Sequence, residues 1–300
     1  MFTHEQFSPS LTRRRVLRSA AALTVAGALG ASTRAAEPII KNKRLKQSIV
    51  GWCFANYGER WNIEQLCQQA KRLGCDSVEL VDPKDWPVLK KHGLVCAIAM
   101  SHGFEKGMNN PKYQEMCLDK MRTAIDACAE AGYPNVITFT GFREDIPDDV
   151  GLKNCIAGYK KIVGYAEKKK VTLCLEMLNS RVQERMKGHP GYQGDHTDYC
   201  MEIIKKVASP RLKLLFDIYH VQIMDGDIIR RIRQYAEWIG HVHTAGNPGR
   251  AELDDKQEIN YPPIMRALVA VKYSGFVGQE FIPTRDPAKG LEEAVRLCDV

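Results

Sequence analysis

Four residues of metal-ligand type stand at the ends of four successive apolar runs in the second half of the chain. Glu176 ends VTLCLE, Asp217 ends LKLLFD, His243 lies near the end of IGHVHT, and Glu280 ends FVGQE. Three carboxylates and one imidazole suit a single hard-to-borderline divalent ion. Mg²⁺ and Mn²⁺ come first, and Co²⁺ and Zn²⁺ are within the range of the same donors. One or two coordination positions would stay open for substrate oxygens. Glu176 and Glu280 come from separate runs and can approach a small molecule from different sides. That arrangement predicts proton transfer at a carbon next to a carbonyl, with the carboxylates accepting and returning the proton. A single strand-end acid is more often a helix cap, and a single histidine more often a packing residue. The recurrence over four runs is what argues for a site.

Further polar residues sit near the same rim. His220 follows Asp217 by three positions, and His102 closes an earlier run, VCAIAM. Lys187 and His189 lie in a polar stretch without periodicity, residues 177–196, which reads as an active-site loop; the two are read either as holding an anionic substrate or as solvated loop residues. Glu79, inside SVELV, is read either as helping to shape the pocket or as forming an internal ion pair. Trp52 and Phe54 are read as an apolar wall or as core.

The elements that must position these residues alternate strictly. Runs at 47–54, 77–81, 95–100, 135–140, 171–176, 212–217, 239–244 and 276–280 read as strands. Amphipathic segments between them read as helices, one opened by a capping box at Asn62–Gln65 and stopped by Gly74. Near-continuous apolar strands alternating with helices imply a parallel sheet covered by helices. Eight such units predict an α/β fold of the (β/α)8 TIM barrel type, a single domain over residues 37–300, with active groups at the carboxyl ends of the strands. The glycine fingerprint of an open dinucleotide-binding sheet is missing after the first run, where Val50-Gly51-Trp52-Cys53 stands instead.

The net charge of +7 is partly a property of the amino terminus. Residues 1–36 hold five arginines and one acid, a net +4, which leaves +3 for the rest and gives no argument for nucleic acid or an anionic membrane. Arg13-Arg14-Arg15 precede an apolar stretch over 19–31 that is too short for a bilayer span, and small residues follow at Ala35-Ala36. This predicts a twin-arginine signal peptide over 1–36 and a periplasmic or extracellular protein with no membrane anchor after cleavage. Ten scattered cysteines without a Cys-x-x-Cys pair argue against a thiolate zinc site and are expected as buried free thiols.

Six segments, EMLNSR (176–181), FDIYH (216–220), HVHTAG (241–246), Gly249-Arg250, EINY (258–261) and GQEF (278–281), resemble the hydroxypyruvate isomerase-like family of the xylose isomerase-like TIM barrels. The resemblance covers roughly residues 45–297. It implies that Glu176 and Glu280 are both metal ligands and the acid–base pair, and that Asp217 and His243 complete the ligand set. It also implies that His220 and Arg250 bind substrate oxygens, Arg250 as a fork for a carboxylate. His102 and Lys187 are further substrate-side candidates. His243 stands where some hydroxypyruvate isomerases resemble glutamine and epimerases carry histidine.

The expected reaction is interconversion of hydroxypyruvate and tartronate semialdehyde through an enediolate. The alternatives are a ketose 3-epimerase or keto-inositol dehydratase on the same barrel and, more distantly, a non-catalytic exported sugar-binding protein. A multi-metal AP endonuclease would need ligands that the stretch AGNPGRAELDD does not supply. The expected partner is a small keto acid or sugar, and a homo-oligomer is left open.

Overall fold

Seven parallel strands follow one another in the order β2-β1-β7-β6-β5-β4-β3. They are β1 (Lys46–Val50), β2 (Ser77–Glu79), β3 (Asn135–Thr138), β4 (Thr172–Glu176), β5 (Leu212–Asp217), β6 (Ile239–Thr244) and β7 (Phe276–Gln279). The computed structural model describes residues 38–300, which form one compact unit. The expected signal peptide over 1–36 lies outside the described residues.

The run at 95–100 is not a regular strand, although it occupies the gap between β2 and β3. It touches β2 through a single bridge, Ser77 to Val95, and β3 through another, Ala99 to Val136. Side chains break the ladder between those bridges. Ser77 Oγ accepts the Ala97 N–H at 2.9 Å, and Asn135 Nδ2 donates to the Ala97 carbonyl at 3.1 Å. The backbone groups of Ala97 are thereby satisfied without a strand partner. The barrel thus has seven regular strands and an irregular eighth.

The first run differs as well. Its strand ends at Val50, and Gly51–Asn56 turns into a short helix that carries Trp52 and Phe54. A Cβ on Gly51 would overlap Val81 Cγ1 just past β2, so glycine gives the chain room to turn here. Elsewhere local chemistry sets the boundaries. Asn62 and Gln65 close a reciprocal capping box, and Gly74 ends that helix at φ 88°. Asp286 caps Pro287–Cys298.

The core runs through the barrel and under the helices, and nearly every strand residue is buried. All ten cysteines are buried and unbridged. No helix among the described residues is long and apolar enough to cross a membrane.

Candidate active site

The carboxyl ends of β4 to β7 converge. Asp217 and His243 are register partners across β5 and β6, and His243 faces Gly278 across β6 and β7. A bulge between Leu214 and Leu215 places Gly240 outside the ladder, and His241 and His243 then share one face at a spacing of two. Glu176, Asp217, His243 and Glu280 each offer a ligand atom within 4.8 Å of the others, and all four are buried. Glu176 Oε1, Asp217 Oδ2 and His243 Nδ1 have no hydrogen-bond partner. Buried polar atoms are almost always satisfied, so three orphaned donor atoms around one point fit a cation.

Asp217 does two things at once. Its Oδ1 caps the helix Ile218–Met224, accepting from the N–H of Tyr219 at 2.8 Å and of His220 at 3.3 Å. Its Oδ2 is left for the cluster. Glu280 Oε2 lies 2.6 Å from Arg250 Nη2, and its Oε1 accepts the Trp52 Nε1–H at 3.0 Å. His243 Nδ1 lies 2.9 Å from Glu280 Oε2 and 3.5 Å from Glu176 Oε1. The 2.9 Å approach is not a hydrogen bond, since Nδ1 has none.

Charge is unevenly shared among these groups. Burial raises the Asp217 carboxyl to about 8, with Glu280 adding to the effect against Arg250 and His243. Burial also raises Glu176. Burial would raise Glu280 too, but Arg250 and His243 outweigh it and hold that carboxylate well below its usual range. His243 is pulled upward against its burial by Glu280, Glu176 and Glu79.

The remaining expected residues divide. His220 is fully buried beside the cluster, with Nε2 unpartnered and 3.6 Å from Asp217 Oδ2. Arg250 Nη1 donates to the Met186 carbonyl at 2.6 Å, so both terminal nitrogens already hold protein oxygens. His102 does not line the cavity described next. Its Nε2 meets Thr138 Oγ1 at 2.9 Å, and its Nδ1 meets the Gly103 and Lys106 carbonyls. Lys187 turns its amine to Glu184, while its loop neighbour His189 is buried and lines the cavity.

A cavity of about 220 Å³ opens onto Glu176, Arg250 and Glu280. Its other walls are mostly apolar, among them Trp52, Leu80, Met100, Phe104 and Phe139. Three lining residues, Leu80, Met186 and Arg250, have φ of 52°, 63° and 52°, a left-handed backbone that costs a non-glycine residue on the order of 1 kcal/mol. Such strain gathers where function fixes side chains. A wider cleft of about 660 Å³, lined by Asn135, Thr172, Lys213 and Gly240, holds none of the ligand set.

Two residues escaped the reading by sequence. Asn179 ties the long loop together. Its backbone N–H and Nδ2 reach His220 Nδ1, its Nδ2 also donates to the Lys187 carbonyl, and its carbonyl accepts the His189 N–H. The signal was its place three residues after Glu176. His241 shares Glu79 Oε1 with His243, each Nε2 at 2.8 Å. Burial would raise Glu79, but the two imidazoles bring it down to about 2.

The fold and this site define the class, and the comparisons agree: the chain belongs to the xylose isomerase-like TIM barrel family, whose model matches residues 67–299. A putative hydroxypyruvate isomerase of Homo sapiens is 38% identical over 247 residues, 81% of either chain. A 2-oxo-tetronate isomerase of Cupriavidus necator is 33% identical over 150 residues, 49% of this chain and 55% of that one. Within the family the chain is therefore an isomerase of the hydroxypyruvate isomerase-like branch. A solved D-psicose 3-epimerase superposes with a TM-score of 0.65 at 15% identity over 85% of this chain and 96% of that one, a likeness of fold alone.

Proposed function

We propose that the chain is a divalent-metal-dependent isomerase of a short α-hydroxy carbonyl compound, with hydroxypyruvate and tartronate semialdehyde as the first substrate pair. The observation that carries this reading is the convergence of Glu176, Asp217, His243 and Glu280 with orphaned donor atoms. A divalent ion held by these four would polarise the substrate carbonyl and offset the charge of the enediolate. Glu280, kept ionised by Arg250, removes a proton from the carbon bearing the hydroxyl. Glu176, raised by burial, returns a proton to the carbon skeleton. In isomerisation the proton reaches the neighbouring carbon and the hydroxyl proton passes to the former carbonyl oxygen. His220 Nε2–H and the Arg250 N–H groups that Met186 and Glu280 do not engage bind those oxygens.

A second reading, ketose 3-epimerisation, is favoured by the cavity. Its apolar walls suit the C–H faces of a longer chain, and in that reaction the proton returns to the opposite face of the same carbon.

Proton-to-deuterium exchange followed by NMR in D₂O, with Mn²⁺- or Mg²⁺-loaded protein and a panel of hydroxypyruvate and ketoses, separates the two. Deuterium at C2 of the tartronate semialdehyde formed from hydroxypyruvate supports the first, and deuterium at C3 of a ketose the second. Full activity in Glu176→Gln and Glu280→Gln would sink both. We also propose that residues 1–36 direct export, which retention of an Arg13→Lys, Arg14→Lys, Arg15→Lys variant in the cytoplasm would support and unchanged export would refute.

A further inference from the structure

Glu79 takes no part in the proton transfers proposed above, yet it is a fully buried carboxylate in the barrel interior. It sits on β2, separated from β6 in the sheet by β1 and β7, and its side chain reaches across the interior to that strand. There Oε1 lies 2.8 Å from Nε2 of both His241 and His243, and both rings are fully buried. An ionised carboxylate only accepts, so each Nε2 carries the hydrogen. His243 is left with Nδ1 to offer, and Nδ1 is the atom that faces Glu176 and Glu280 without a hydrogen-bond partner.

A third strand makes room for this contact. Gly278 on β7 pairs in register with His243. A Cβ there would overlap Glu79 Oε1 and stand 2.9 Å from His243 Cδ2. No positive φ requires glycine at this position, so the missing side chain serves space alone.

We infer that Glu79 is a positioning residue that pins the His243 ring through Nε2–H, so that Nδ1 is the metal-ligating atom, with Gly278 supplying the space. The inference rests on the metal reading above. A carboxylate behind a ligating histidine fixes both ring orientation and tautomer, and its loss typically weakens metal binding about 10- to 100-fold. His241, the second donor to the same oxygen, braces the carboxylate.

The test is Mn²⁺ affinity of the whole chain, read from the EPR signal of the free ion. Glu79→Gln keeps the size but not the charge, and Gly278→Ala leaves every proposed ligand in place while crowding the contact. Each is expected to weaken Mn²⁺ binding about 10- to 100-fold. A measurement on the wild type does not depend on whether these variants fold. In Zn²⁺-loaded, ¹⁵N-histidine-labelled protein, His243 is expected to carry its proton on Nε2 and to show a metal-shifted Nδ1. Coordination through Nε2, or unchanged Mn²⁺ affinity in both variants, would overturn the inference alone. A wild type that binds neither Mn²⁺ nor Zn²⁺ would overturn the metal reading and this inference with it.

Discussion

His220 Nδ1 accepts the backbone N–H of Asn179 across 3.1 Å, and this fixes which ring nitrogen carries the hydrogen. The proton sits on Nε2, which has no partner. Burial, reinforced by the Arg250 charge, keeps the ring neutral. A neutral donor fixed beside the ligand cluster suits a substrate oxygen. His220→Ala is expected to lower kcat/KM roughly 10- to 100-fold, the worth of one such hydrogen bond, and mainly through KM. Metal affinity should hardly change. Steady-state kinetics with parallel Mn²⁺ titration checks this, and an unaltered kcat/KM would remove His220 from the substrate site.

Glu280 and Glu176 should differ in stability even if they share the chemistry. Arg250 is 2% exposed, and after Glu280 its next carboxylate oxygen is Asp217 Oδ2 at 3.7 Å. Glu280→Gln strands much of that buried charge, at a cost of about 3 kcal/mol. Glu176 has Oε1 unpartnered and faces Glu280 as a like charge. Glu176→Gln should therefore change stability by less than about 1 kcal/mol, in either direction. Urea unfolding of the metal-free variants at pH 7 separates the two, and equal losses would contradict this account of Arg250.

The same contrast marks what sequence could and could not give. Glu176, Asp217 and Glu280 were legible because each interrupts an apolar run at its end, where a parallel barrel delivers its side chains. The Glu79 pairing was not legible, because it spans residues 162 and 164 positions apart on strands that are not neighbours. QSIVGWCF reads as one apolar run, and periodicity does not divide a short buried strand from a buried helix. The division at Gly51 comes from close packing against Val81. The run at 95–100 has strand composition, but Ser77 and Asn135 take the backbone groups of Ala97. Lys187 and His189 are two residues apart in one loop, and only the fold shows that His189 turns inward.

Asp217 allows its two roles to be separated. Asn is as good an N-cap as Asp, whereas Ala removes the cap at a cost of about 1 kcal/mol. Asp217→Asn should keep the metal-free stability and lose the metal response. In wild type, a divalent ion at about 100 times its Kd should add about 2.7 kcal/mol. Thermal unfolding with Mg²⁺, Mn²⁺, Co²⁺ and Zn²⁺ tests both statements. An equal metal-induced shift in wild type and Asp217→Asn would take Asp217 out of the ligand set.

His102 predicts a pH dependence that has its origin away from the ligand cluster. Its Nδ1–H donates to the Gly103 and Lys106 carbonyls, so its Nε2 must accept from the Thr138 hydroxyl. A second ring proton would force the Thr138 hydroxyl to turn from donor to acceptor. Burial lowers the group from 6.5 to about 4. Between those values the unfolded chain binds the proton and the folded chain does not, so stability falls with pH. The contribution of His102 should be constant above pH 7, decline as pH drops from 6.5 to 4, and level off below that. The total is roughly 3 kcal/mol, from about 1.4 kcal/mol per unit. His189, lowered to about 4 by burial and Arg250, acts in the same direction. Comparing wild type with His102→Gln isolates the His102 part. The difference between their metal-free unfolding free energies should narrow by roughly 3 kcal/mol between pH 7 and pH 4, since only the wild type carries this titration. Parallel curves across that window would show that His102 titrates alike in the folded and unfolded chain.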